Sequence, residues 1–488
     1  MTGAETITIT RQEYAELIHF RSEVGLLKYQ LAELKRLLYG TKSERYIAPD
    51  PAQPTLFELP GEITAEKPQE EITYKRTKPE SKKQPLRLEI PVHLPRRTEV
   101  IEPDYLPANA KRIGQNITEL LEYEPANIYV RQIIRPKYII EKNDEQTIIV
   151  TAPLPSLPIA KGNAGASMLA HILVSKFTDH LPFYRQVQIL KRQGLHIPES
   201  TIGGWFSGSC KLLEPLYETL KEKVLCCDYL QADETPIPVQ TIDKPGATHK
   251  GYHWVYFDPG NKLVLFDYQK SRGREGPDEL LKNFTGYLQT DGYAAYNNLK
   301  NKSNITHLAC MAHARRKFEH ALDNHRMLAT QAMEMFSALY DIERDIRKET
   351  LNYDAIREIR QHRAKPVLDQ LGSWLQQQLN QVPPKSAIGL AIGYTLTLWP
   401  RLIRYIDDGR LQIDNNLIEN SIRPVALGRK NYLFAGSHQA AQNAAMIYSL
   451  LATCKLNNTE PFSWLTQTLA KIPDYPAGQL HKLLPGPI

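Results

Sequence analysis

Three short segments of this 488-residue chain carry side chains able to hold divalent metal ions: Ala232-Asp233-Glu234-Thr235, Gln289-Thr290-Asp291-Gly292-Tyr293 and Asp414-Asn415-Asn416-Leu417-Ile418-Glu419. Carboxylates are hard oxygen donors suited to Mg²⁺, and acids contributed by two strands and one helix suit metal-dependent phosphoryl transfer on nucleic acid. Side chains alternate faces along a strand, so Asp233 and Glu234 point opposite ways and only one of them enters a given site. Asp233 closes an apolar alternation, which places it at the C-terminal edge of its strand, where α/β sheets commonly bind ligands. Asp291 holds the same kind of position, and Gly292 after it permits a sharp turn. In the third segment Asp414 or Asn415 can cap a helix. Glu419 then lies in the first turns, where the helix dipole favours a carboxylate. Arg423, four residues on, lies within reach of an ion pair with Glu419. Asp414 is the rival for the third acid.

The pattern around these acids is α/β. Strands are predicted over 229–233, 251–257, 262–267, 287–291 and 305–310, with helices over 277–283 and 312–324. Three neighbouring strands followed by strands alternating with helices define an α/β core. Residues 226–325 carry this pattern, 326–405 are almost wholly helical in pattern, 406–455 hold the third acidic segment and 456–488 form a C-terminal tail. Upstream, 161–225 reads as three helices with a turn at Gly194. That is the outline of a helix-turn-helix, or of an ordinary helical hairpin. Arg185, Lys191 and Arg192 lie near its turn. Residues 98–160 read as a small β-rich module with strands over 128–134, 137–141 and 147–151. At the N-terminus, 1–47, Leu17, Phe20, Val24, Leu27, Leu31, Leu34 and Leu38 repeat at spacings of three and four. Such a repeat makes a coiled-coil seam, which joins copies of the chain, or an amphipathic helix packed on its own chain.

Charge is concentrated. Residues 48–97 form a proline-rich linker, acidic and then basic; over 75–97 eight Lys or Arg, among them Lys75, Arg76, Lys82 and Lys83, face two Glu. This net of +6 equals that of the whole chain. It reads as a solvated linker or as a site that attracts a polyanion. The five cysteines form no CxxC pair, the N-terminus has no signal-peptide pattern, and no apolar run approaches membrane-spanning length, so a reduced, cytosolic protein without a membrane partner is expected.

The wording of the segments resembles one family. Ala-Asp-Glu-Thr (232–235), Gln-Thr-Asp-Gly-Tyr (289–293), Ala-Cys-Met-Ala-His-Ala-Arg-Arg-Lys-Phe (309–318), Ile-Asp-Asn-Asn-Leu-Ile-Glu-Asn-Ser-Ile-Arg-Pro (413–424) and Gly-Arg-Lys-Asn-Tyr-Leu-Phe-Ala-Gly-Ser (428–437) are similar to motifs of the insertion-sequence-sixty-six transposases, whose large subunit is called TnpC. Lys-Phe-Thr-Asp-His-Leu-Pro-Phe-Tyr-Arg (176–185) and Leu-Tyr-Gly-Thr-Lys-Ser-Glu-Arg (38–45) extend the resemblance over nearly the whole chain. It implies a ribonuclease-H-like core, with 326–405 as an insertion between its two parts, a DDE triad at Asp233, Asp291 and Glu419, and two Mg²⁺ or Mn²⁺ ions held by the same three residues. It further implies DNA element ends and target DNA as partners, a bacterial, nucleoid-associated location, and small accessory proteins encoded by the same element, while the heptads predict a homo-oligomer. Arg315, Arg316, Lys317, Arg423, Arg429 and Lys430 are candidates for phosphate contacts. His313 and Asn431 are candidates for positioning DNA or water, or for structural hydrogen bonds. The family's zinc module has two CxxC pairs; residues 98–150 contain no cysteine, so no zinc is expected there. Cys310 and His313 have CxxH spacing without a second ligand pair, and Cys310 reads as a packing residue. A metal-dependent nuclease without strand transfer and a catalytically silent DNA-binding regulator remain the alternative functions.

Overall fold

A computed structural model describes Val24, Ile90 and residues 92–104, 111–124, 127–143, 146–241, 246–301 and 304–486. The basic residues Lys75, Arg76, Lys82 and Lys83 lie outside the described residues, as does the heptad stretch apart from Val24.

The chain is a mixed α/β protein with two mixed sheets. The smaller sheet contains β1 (Arg96–Val100), β2 (Lys111–Glu124), β3 (Asn127–Asn143) and β4 (Gln146–Thr151). β3 pairs antiparallel with β2 and β4 and parallel with β1. Leu121 and Val130 are fully buried and join the core beneath the helices that follow. These helices are α1 (Ala166–Phe177), α2 (Phe183–Arg192) and α3 (Glu199–Leu225). α2 buries only Gln186 and Leu190, which leaves Arg185, Lys191 and Arg192 exposed.

The larger sheet has the order β7-β6-β5-β8-β9, built from β5 (Tyr229–Gln240), β6 (Thr248–Asp258), β7 (Leu263–Gln269), β8 (Gly286–Thr290) and β9 (Ile305–Ala309). Its first three strands are antiparallel, while β8 and β9 run parallel to β5. The short helix α4 (Glu275–Leu280) connects β7 to β8.

The helical stretch after β9 consists of α5 (Met311–Ala321), α6 (Arg326–Lys348), α7 (Tyr353–Ile359), a π-helical turn (Arg360–Ala364), α8 (Lys365–Leu379) and α9 (Ala387–Leu402). These helices enclose a second core with Tyr229 and Leu308 of the sheet. At its centre the Arg360 guanidinium forms two 2.8 Å hydrogen bonds to Glu343, and both side chains are almost fully buried. Arg360 also donates to the Tyr405 and Asp408 carbonyls, so the π-helical turn is tied to the chain that leads to the third acidic segment.

The chain closes with α10 (Asn416–Tyr432), α11 (His438–Leu456) and α12 (Pro461–Lys471). β7 is an edge strand, and an uncovered edge presents unpaired N–H groups. α11 covers it: Ser449 Oγ accepts from Phe266 N at 2.8 Å and Thr453 Oγ1 from Val264 N at 3.2 Å. Two hydroxyls four residues apart on a helix share one face, which lets α11 satisfy alternate residues of the strand.

Candidate active site

Asp233 is not at the end of its strand. β5 continues to Gln240 while paired with β6. What ends near Asp233 is the parallel pairing with β8, whose last partners are Gln231 and Gln289. Asp233 and Asp291 each stand two residues beyond that pair, so they lie abreast where the parallel pairing of the two strands stops. There the chain of β8 turns away through Gly292, whose φ is +93°. A Cβ at Gly292 would approach Leu398 of α9 to 2.8 Å, so both conformation and space require glycine. Tyr394 of α9 donates to the Asp291 carbonyl at 2.6 Å, and Tyr293 N donates to the Asp291 carboxylate at 2.8 Å.

A buried polar network brings the third segment to these strands. Gln289 Oε1 accepts from Tyr229 Oη at 2.5 Å and from Gln231 Nε2 at 2.9 Å. Gln289 Nε2 donates to the Gln412 carbonyl at 2.9 Å, and Gln231 Nε2 to the Asp414 carbonyl at 3.0 Å. Asn415 N donates to Cys310 Sγ at 3.3 Å, and Met311 N to the Ile413 carbonyl at 3.1 Å. The stretch before α10 is therefore pinned to β5, β8 and the start of α5, and Glu419 follows in the first turn of α10. Cys310 is buried within this junction, and burial pushes its thiol up to about 12, which makes it a packing residue.

Asp414 is occupied. One carboxylate oxygen accepts from Asn416 N at 3.0 Å and the other from Asn416 Nδ2 at 2.8 Å, so Asp414 holds the turn that starts α10. Glu419 does not form the ion pair with Arg423 that their spacing permits. Its carboxylate lies 3.6 Å from Arg316 Nη2 and 3.8 Å from His313 Nε2, both on α5. Burial lowers the His313 pKa, which the Asp291 and Glu419 carboxylates partly oppose.

Asp233, Glu234, Glu419 and Arg423 line one open cavity of about 310 Å³. Glu234, set aside by strand alternation, lines the same cavity as Asp233. The Glu234 side chain is 2% exposed and receives the Arg272 guanidinium, with Nε at 2.8 Å. Arg272 in turn stacks 3.9 Å from the Tyr293 ring centroid. Strand alternation set Glu234 aside in the sequence, and Arg272 did not emerge at all, since nothing in the spacing ties 272 to 234. Burial pushes the Asp233 carboxyl up to about 8, helped by the charge of Glu234 and then by those of Asp291 and Glu419. Burial also raises Glu234, against the pull of Arg272, and its Oε2 has no hydrogen-bond partner among the described residues. Carboxylates thus gather at the site, and an all-oxygen donor set of this kind fits a hard divalent ion. No three His, Cys, Asp or Glu among the described residues already stand at metal-holding distance; Glu419 is turned towards α5 instead.

The basic candidates separate by environment. Arg423 and Lys430 are exposed on α10. Arg316 faces Glu419, Arg315 pairs with Glu319 at 3.6 Å, and the Lys317 ammonium sits 5.3 Å from the Tyr394 ring centroid. Arg429 is half-buried and donates to the Pro236 carbonyl, a structural role. Asn431 accepts from Arg185 at 3.3 Å. Lys191 and Arg192 stay exposed on α2 without joining the cavity.

An acidic cleft on a mixed sheet, with Arg423 in its wall, defines an α/β protein with a candidate site for a hard divalent ion. The chain belongs to the IS66 transposase family. The profile described as Transposase IS66 family matches residues 161–443, and that of the IS66 C-terminal element matches 449–485. A third, Transposase C of IS166 homeodomain, matches 26–98. The uncharacterized Sinorhizobium fredii protein y4jD is 33% identical over 494 residues, covering 94% of each chain. The uncharacterized protein y4qI of the same organism is 33% identical over 478 residues, covering 93% of this chain and 87% of its own. The protein is accordingly an insertion-sequence transposase with DNA as its partner. The homeodomain match lies upstream of residues 161–225, where sequence pattern suggests a helix-turn-helix, and it takes in the basic run at 75–97. No helix among the described residues is long and apolar enough to cross a membrane.

Proposed function

We propose that this transposase cuts DNA at the ends of its element and joins them to target DNA by a DDE mechanism, with Asp233, Asp291 and Glu419 as the three acids. The observation that carries the reading is the register of β5 with β8, which sets Asp233 beside Asp291, together with the buried glutamine network that delivers the helix of Glu419 to them. The strand order, three antiparallel strands followed by two parallel ones, supports a ribonuclease-H-like core with a helical insertion between the second and third acids.

Asp233, Asp291 and Glu419 would hold Mg²⁺ or Mn²⁺. Two such ions, when bound, supply nucleophile activation and charge stabilisation at the phosphodiester. Arg423 at the cavity and Lys430 further along α10 hold the DNA backbone. Tyr394 and the network around Gln289 keep the acids in place, and Arg316 and His313 restrain Glu419 between turnovers. Water is the nucleophile for cutting and a DNA 3′-hydroxyl for joining, so no protein nucleophile is required. Synapsis of two ends is served by a homo-oligomer, and companion proteins from the same element complete the machinery.

The test uses the element's end DNA, target DNA, Mg²⁺ and the element's companion proteins. Wild-type protein yields joined product. Asp291→Asn and Glu419→Gln reduce cutting by about 10³-fold or more while still binding DNA. Asp414→Asn, which keeps an acceptor for the Asn416 N–H, retains it. Cutting without joining would replace the proposal by a metal-dependent nuclease; binding alone would leave a silent regulator.

A further inference from the structure

Two sequence motifs, 176–185 and 428–437, take little part in the carboxylate site, yet the fold brings them together on a second cavity of about 660 Å³. This volume is in the range of small-ligand sites. One wall is the end of α1 and the start of α2, with Lys176, Phe183 and Tyr184; the opposite wall is the turn between α10 and α11, with Tyr432 and Phe434. Arg185 and Asn431 bond across the mouth at 3.3 Å. The turn is firmly built: Ala435 N donates to the Pro238 carbonyl at 2.8 Å, and Gln240 N donates to the Ala435 carbonyl at 2.8 Å. Leu433 is held at a φ of +58°, outside the range a leucine ordinarily adopts. Thus anchored, the turn leaves Phe434 42% exposed opposite Tyr184, itself 51% exposed. Exposed aromatic rings around a concave site mark a binding surface.

The chemistry is cationic and aromatic. The Lys176 ammonium stands 4.0 Å from the Phe183 ring centroid and 4.9 Å from that of Tyr432. It has no ion-pair partner among the described residues, although the charge of Glu199 reaches it. Aromatic faces beside a lysine suit a nucleobase and its phosphate, since stacking takes the base and the ammonium takes the backbone. The position of the cavity selects DNA over other occupants. α10 runs from Glu419 to the cavity, and at about 1.5 Å per residue its twelve or so intervening residues span roughly 20 Å. Along it Asn420, Arg423, Leu427 and Lys430 are exposed at spacings of three and four, forming one stripe from the acidic cavity to the aromatic one. At about 3.4 Å per nucleotide, that stripe accommodates about six nucleotides.

We propose that this second cavity takes one unstacked nucleobase of the strand being cut, about six nucleotides from the scissile phosphate, between the aromatic walls and with Lys176 on the adjoining backbone. The proposal rests on the transposase reading and specifies how that site grips its DNA. It is tested with the full chain and end-DNA duplexes carrying 2-aminopurine, which brightens when unstacked, at each position from three to nine nucleotides from the cut. One position near six brightens with wild-type protein and equally with Glu419→Gln. Phe434→Ala and Tyr184→Ala, both at exposed positions, abolish the brightening and weaken end binding by about 5- to 100-fold. If wild-type protein cuts and joins but no position brightens, or if brightening survives both variants, the cavity proposal fails while the transposase reading stands. Brightening without cutting supports the cavity and counts against the DDE assignment. Absence of both overturns both.

Discussion

Replacing Asp233 by Asn should uncouple stability from function in a way that depends on pH. The Asp233 carboxyl is pushed up to about 8 by burial and by three neighbouring acids, from an ordinary value of 3.8. A carboxyl whose folded pKa is raised prefers to be protonated in the folded state. Its contribution to stability is therefore fully present below the unfolded pKa, lost progressively as pH rises towards the folded pKa, and constant above it. In that window each pH unit is worth about 1.4 kcal/mol. Between pH 6 and 8 the wild type should thus lose about 2 kcal/mol relative to Asp233→Asn, which does not titrate. The assay is urea unfolding of both proteins in metal-free buffer at pH 5, 6, 7, 8 and 9, taking the difference in unfolding free energy. The gap should widen in favour of Asn up to about pH 8 and then level off, while the variant loses DNA cutting at every pH. A gap independent of pH from 5 to 8 would refute both the burial and the like-charge origin of the shift.

Two further outcomes follow from buried polar groups. Gln289→Leu strands its partners in the network and should cost about 3 kcal/mol in urea unfolding. Cutting should fall about 10²-fold even where the variant is folded, because the helix of Glu419 loses its anchor. Arg360→Met leaves the buried Glu343 carboxylate without its partner and should cost about 3–5 kcal/mol, whereas the pair replacement Arg360→Met with Glu343→Leu should recover most of that loss.

Local chemistry made much of this protein legible in its sequence. The acids Asp233, Asp291 and Glu419 stand out because residue type and strand or helix context are local properties, and periodicity marks the helices of residues 326–405 because an amphipathic helix carries its own pattern. The long motifs identify the family because they record several such local contexts at once. What the tertiary structure decided depends on pairing between distant segments. Asp233 lies mid-strand rather than at a strand end, because β8 stops pairing there while β6 continues. Glu234 lines the cavity while paired with Arg272, and Glu419 faces Arg316 rather than its helical neighbour Arg423. Asp414 became a turn anchor because Asn416 engages both of its oxygens. Motifs at 176–185 and 428–437 became one aromatic cavity only when the α10–α11 turn docked on β5. A chain segment determines its own side-chain chemistry and its propensity, but which charges neutralise one another and which surfaces meet is set by packing between segments far apart in sequence.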